Sequence, residues 1–148
     1  MITLQKLQWN NCFSYGEGNE IMLDERTLTQ ILGTNGMGKS SIPLIIEEAL
    51  YNKNSKGIKK ADIPNRYVNN GYDIVLDFTR DTDEYRITVN RKTNVKVKFE
   101  KNGEDISLAA ALNNSKSSTY FSRDKSSIKN FFLLVSVAVK NCRLAFVF

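Results

Sequence analysis

Histidine is absent from all 148 residues. Its absence excludes Ser-His and Cys-His nucleophilic triads, imidazole acid–base chemistry and histidine metal sites, leaving carboxylates, water and bound phosphate or Mg²⁺. Cysteine occurs twice, at Cys12 and Cys142, with no C-x-x-C pair. That spacing indicates neither a zinc site nor a redox couple, and predicts two reduced, buried thiols in a cytosolic setting. Long apolar runs are also missing. The longest, F-F-L-L-V-S-V-A-V, ends at Lys140, and Arg143 interrupts the apolar residues beyond it. It is too short for a membrane span and reads as a buried strand or short helix. The opening Ile2-Thr3-Leu4-Gln5 lacks the basic-then-apolar layout of a signal peptide, so neither secretion nor a membrane partner is expected. Acidic residues nearly vanish late in the chain. Residues 107–148 hold six Lys or Arg and only Asp124, whereas residues 1–106 carry 15 of each sign. The net charge of +5 therefore sits in the tail, and does not by itself indicate nucleic-acid binding.

What is present is a phosphate-binding loop pattern. Gly33 to Ser40 read G-T-N-G-M-G-K-S, a full match to G-x-x-x-x-G-K-[ST]. Gly33, Gly36 and Gly38 let the backbone take positive φ and approach phosphate oxygens with no Cβ in the way. Lys39, the catalytic candidate, places an ammonium at the β- and γ-phosphates, and the Ser40 hydroxyl is the candidate Mg²⁺ ligand. A helix beginning after the loop adds free N–H groups and the positive end of its dipole. A glycine-rich turn without a ligand would require neither Lys39 nor Ser40.

The flanking pattern fits. Ile2, Leu4, Leu7 and Trp9 suggest a first strand whose alternation falters around Lys6, Glu20 to Leu23 a second, and Leu28 to Leu32 a third running into the loop. After Lys39, the spacing of Ile42, Ile45, Ile46, Ala49 and Leu50 predicts a helix with an apolar face, although Pro43 should remove a hydrogen bond or kink it. Lys53, Lys56, Lys59 and Lys60 mark a polar loop, solvated by default and alternatively a contact to DNA phosphates. Ile63-Pro64-Asn65 and Asn69-Asn70-Gly71 punctuate the chain. An antiparallel meander comes next. It alternates Ile74, Leu76 and Phe78, then Tyr85, Ile87 and Val89, then Val95, Val97 and Phe99, with turns at Asp81-Thr82-Asp83 and Asn102-Gly103. Ile74-Val75-Leu76-Asp77 imitates the apolar run and aspartate that hold Mg²⁺ in such enzymes. Phe78 stands where the catalytic glutamate would be, so Asp77 is read as a surface residue.

Trp9-Asn10-Asn11-Cys12-Phe13-Ser14-Tyr15-Gly16, Ile31 through Ile42 and Glu48-Ala49-Leu50-Tyr51 together resemble the head of the SMC-like DNA repair ATPases, especially phage recombination-endonuclease subunits and the bacterial SbcC type. The resemblance implies an α/β fold: the N-terminal lobe of an ABC/SMC-type P-loop NTPase head over residues 1–106, with an antiparallel meander. Residues 107–148 are then a divergent or truncated basic tail. It implies ATP and Mg²⁺ as cofactors, with Asn35 and Ser41 joining the phosphate contacts and Ser14 near the nucleotide. It also implies head-to-head pairing, DNA and a metallophosphoesterase-type nuclease subunit as partners, and a host-cytoplasmic setting if phage-encoded. The heptads, S-G-G signature and aspartate–glutamate pair of that family are missing, and no glutamine follows Gln30. The expectation is a fragment that binds ATP and hydrolyses it slowly if at all. A stand-alone nucleotide-responsive module for DNA or an acidic partner is the alternative; the missing signature disfavours a transporter-type ATPase.

Overall fold

The computed structural model describes residues 2–24, 30–68, 70–92, 95–107 and 145–146. The expectations for Cys142 and for the apolar run before Lys140 lie outside the described residues, as do the first two residues of the strand expected over Leu28–Leu32.

Strand β1 (Ile2–Asn10) and β2 (Asn19–Met22) form an antiparallel pair, followed by the short β3 (Gln30–Ile31) and helix α1 (Ser41–Tyr51). Then come β4 (Tyr72–Arg80), β5 (Asp83–Arg91), β6 (Val95–Lys101), β7 (Glu104–Asp105) and β8 (Ala145–Phe146). Six strands make one sheet in the order β2-β1-β4-β5-β6-β7, while β3 stands outside it and pairs in parallel with β8.

The faltering alternation of the first strand has a physical cause. The register between β1 and β4 shifts between Leu4 and Lys6, so one extra residue resets the phase and lets Leu4, Leu7 and Trp9 all face inward. Cross-strand rows result. Leu7 lies opposite Leu76, which lies opposite Ile87, which lies opposite Phe99; Trp9, Ile74, Val89 and Val97 form the next row. Helix α1 contributes Ile42, Ile45, Ile46, Ala49 and Leu50 to the same core, as their spacing requires. Pro43 is the third residue of the helix. At that depth its missing N–H is one of the unpaired donors of any helix start, so no hydrogen bond is lost and no kink is needed.

The other face of the sheet is polar. Lys6, Asp77, Arg86 and Glu100 form a row of alternating charge, with Arg86 gripping the Asp77 carboxylate through bonds of 2.6 and 3.0 Å. Asp77 is therefore occupied on the face turned away from the core, in keeping with its reading as no Mg²⁺ ligand. A groove of about 430 Å³ runs along this face, and none of its lining residues belongs to the glycine-rich loop.

Candidate nucleotide site

Residues 32–40 leave β3 and deliver the chain to α1. Gly36 and Gly38 take φ of 86° and 87°, conformations that cost a side-chain-bearing residue about 1–2 kcal/mol. Gly38 is also crowded. A Cβ there would stand 3.2 Å from the Tyr15 ring and 3.3 Å from the Ser14 Cβ. The loop makes few internal main-chain bonds: Met37 N–H donates to Thr34 at 3.4 Å and Ser41 N–H to Gly38 at 2.9 Å. The N–H groups of Gly36, Gly38, Lys39 and Ser40 donate to no acceptor among the described residues.

Lys39 folds back over this loop. Its Nζ donates to the Gly33 carbonyl at 2.6 Å and the Thr34 carbonyl at 3.0 Å, and the residue is buried. An ammonium has three donors, so one is left. Ser40 occupies the cap position of α1 without a side-chain cap bond, and it is exposed, as is Asn35, while Ser41 opens the helix half-buried. No acid stands in the first turn of α1 to neutralise the positive end of its dipole.

The loop over residues 11–16 brings Ser14 to Gly38. Asn11 and Phe13 adopt left-handed φ of 55° and 54°, and Asn11 N–H closes the loop on the Gly16 carbonyl at 2.8 Å. The segment Ile63-Pro64-Asn65 holds it from behind. Phe13 N–H donates to the Ile63 carbonyl at 2.7 Å, Asn65 N–H to the Asn11 carbonyl at 2.8 Å, and the Asn65 amide to the Tyr15 carbonyl at 3.1 Å. Sequence reasoning read Asn65 only as turn punctuation and Tyr15 only as part of a likeness.

Lys60 corrects the reading of the lysine loop. It pairs with the fully buried Glu48 carboxylate and donates to the Asn52 carbonyl at 2.5 Å, and burial holds its ammonium below the usual lysine range. Its ammonium is thus engaged by the protein itself, although the side chain is only half-buried. Lys53, Lys56 and Lys59 remain exposed. Glu48 also accepts the Tyr72 hydroxyl at 3.0 Å and lies 3.7 Å from Arg91 Nε. Its place three residues after Ile45, on the apolar face of α1, was the available signal for a buried charge.

A family profile described as an AAA domain matches residues 6–141. The chain belongs to that family. This AAA domain is 44% identical over 107 residues to the probable exonuclease subunit 2 of Escherichia phage T5, covering 72% of the chain and 18% of that protein. It is 36% identical over 94 residues to the DNA double-strand break repair Rad50 ATPase of Archaeoglobus fulgidus, covering 64% of the chain and 10% of that protein. The chain thus spans less than a fifth of either relative. Among solved structures, the recombination mediator RecF with ATP aligns with TM-score 0.56 and 16% identity over 70% of the chain and 27% of its own. The SMC head domain of Thermotoga maritima aligns with TM-score 0.50 and 23% identity over 74% of the chain and 40% of its own. The fold is that of a P-loop NTPase head of the SMC and RecF kind.

Proposed function

We propose that this AAA domain binds ATP with Mg²⁺ at Gly33–Ser41, as part of a DNA recombination or repair ATPase that works with a nuclease subunit. The observation that carries this reading is the run of loop N–H groups with no acceptor among the described residues, those of Gly36, Gly38, Lys39 and Ser40 among them, beside the Lys39 ammonium. Donors so arranged at a helix start suit a multiply charged phosphate chain. When bound, Mg-ATP supplies a hydrolysable triphosphate. Lys39 neutralises its charge, Ser40 offers its hydroxyl to the metal, Asn35 and Ser41 add donors, and Ser14 stands at the rim. Residues 1–106 are read as the N-terminal lobe and 107–148 as a divergent tail. By likeness to its relatives the complete assembly pairs heads, acts on DNA, is phage-encoded and has a metallophosphoesterase-type partner. Hydrolysis by this chain alone should be slow, because the residues expected to polarise water at the γ-phosphate have no counterpart in the sequence.

A second reading rests on the exposed Lys53, Lys56 and Lys59: a module that holds DNA phosphates in response to nucleotide. Calorimetric titration of wild type and Lys39→Ala with Mg-ATP, with and without DNA, separates the two. Lys39→Ala should weaken Mg-ATP binding at least about tenfold, the worth of one charge-assisted hydrogen bond. Unchanged affinity would refute the site. DNA affinity indifferent to both ATP and Lys39 would favour the second reading without its nucleotide response.

A further inference from the structure

A trans peptide points its C=O and the following N–H in opposite directions, so whatever holds the carbonyl of Gly38 also aims the N–H of Lys39. Two donors hold that carbonyl. Ser41 N–H reaches it from the first turn of α1 at 2.9 Å, and the Tyr15 hydroxyl at 3.1 Å. A helix start supplies the first bond anywhere. The second comes from outside the loop and helix, from a residue 23 positions earlier.

Tyr15 is itself fixed at several points. Its ring packs edge-on against Trp9 at 5.2 Å between centroids, and Trp9 is a buried member of the sheet core. Its N–H donates to the Cys12 carbonyl at 2.9 Å, and its carbonyl accepts the buried Asn65 amide at 3.1 Å. Asn65 is in turn held, its Oδ1 accepting Tyr67 N–H at 3.0 Å. Burial pushes the Tyr15 hydroxyl above its ordinary pKa, so it stays a donor across the neutral range. The contact between the ring and Gly38 further limits the loop, since the ring fills the space where a Cβ would go.

We propose that Tyr15, anchored by Trp9 and Asn65, is a positioning residue that locks the Gly38–Lys39 peptide so that the Lys39 N–H faces the loop mouth, ready for an anion. This rests on the reading of the loop as a triphosphate site. The role proposed for Tyr15 is indirect. It acts through Gly38, transmitting the rigidity of the sheet to a loop that has few main-chain bonds of its own.

The test uses the full chain, comparing wild type, Tyr15→Phe and Asn65→Ala. Two quantities report on the site, Mg-ATP affinity by calorimetry and the amide resonances of Gly38, Lys39 and Ser40 without nucleotide, and the urea midpoint reports on folding. Tyr15→Phe keeps the ring on Trp9 and removes only the donor. It should weaken Mg-ATP binding about threefold to tenfold, the range for one neutral hydrogen bond, and shift the Lys39 amide resonance while the urea midpoint changes little. Asn65→Ala should move both quantities in the same direction. Wild-type affinity in Tyr15→Phe overturns the proposal, as does an affinity loss with unmoved loop amides, which would mark a purely structural role. Should wild type itself fail to bind Mg-ATP, the triphosphate reading falls. The nucleotide-free amide shifts still decide the part played by Tyr15: movement keeps it as the lock of the peptide, and stillness removes it.

Discussion

Glu48 is a fully buried charge with several partners. Its carboxylate meets Lys60, the Tyr72 hydroxyl and Arg91, tying α1 to the segment behind the site and to β4 and β5. Glu48→Ala would leave the half-buried Arg91 and Lys60 without their anion, and should cost about 3 kcal/mol, read as a lower urea midpoint. A loss below about 1 kcal/mol would mean that water already screens the cluster. Residues of this kind divide by how they announce themselves. Gly33, Gly38, Lys39 and Ser40 stand out in the sequence because the pattern admits only one or two residue types at each of those offsets. Tyr15 and Asn65 do not, because their contacts exist only once the 11–16 loop has been packed beside the 63–65 segment. A tyrosine or asparagine in a loop carries no such address.

Elements were legible where periodicity was clean. The meander and the apolar face of α1 stand where alternation and three-and-four spacing put them, and the expected turns join β4 to β5 and β6 to β7. The pairing of β1 with β4 was not legible, since local pattern says nothing about partners about 70 residues apart in the chain. The turn signal before β4 conceals a stricter demand. Gly71 has φ of 67°, and a Cβ on it would lie 2.1 Å from the Arg91 carbonyl oxygen. Strand β4 can therefore start beside β5 only with glycine at that point. Gly71→Ala should destabilise by about 2 kcal/mol or more, combining left-handed strain with a backbone clash; a thermal melt within a degree of wild type would contradict it.

For the molecule as a whole, the missing histidines bear on pH. No side chain has an ordinary pKa between the carboxylates and the thiols, so the urea midpoint should be flat from about pH 5.5 to 7. Above about pH 9 it should fall. Burial raises the Cys12 thiol and the Tyr51 and Tyr72 hydroxyls, so the folded protein keeps protons that the unfolded chain has released, and rising pH favours unfolding. Lys60, lowered by burial, acts in the opposite sense but is one group against three. A midpoint that rises from about pH 8 to 10.5 would reverse this balance. The placement of β1 between β2 and β4 bears on how the molecule is made. During synthesis the amino-terminal strand emerges with β2 as its one early neighbour, and its second edge waits until Arg80 has been polymerised. Over that interval an apolar ribbon lies open to other nascent chains, so yield should depend on how quickly the ribosome delivers the next seventy residues.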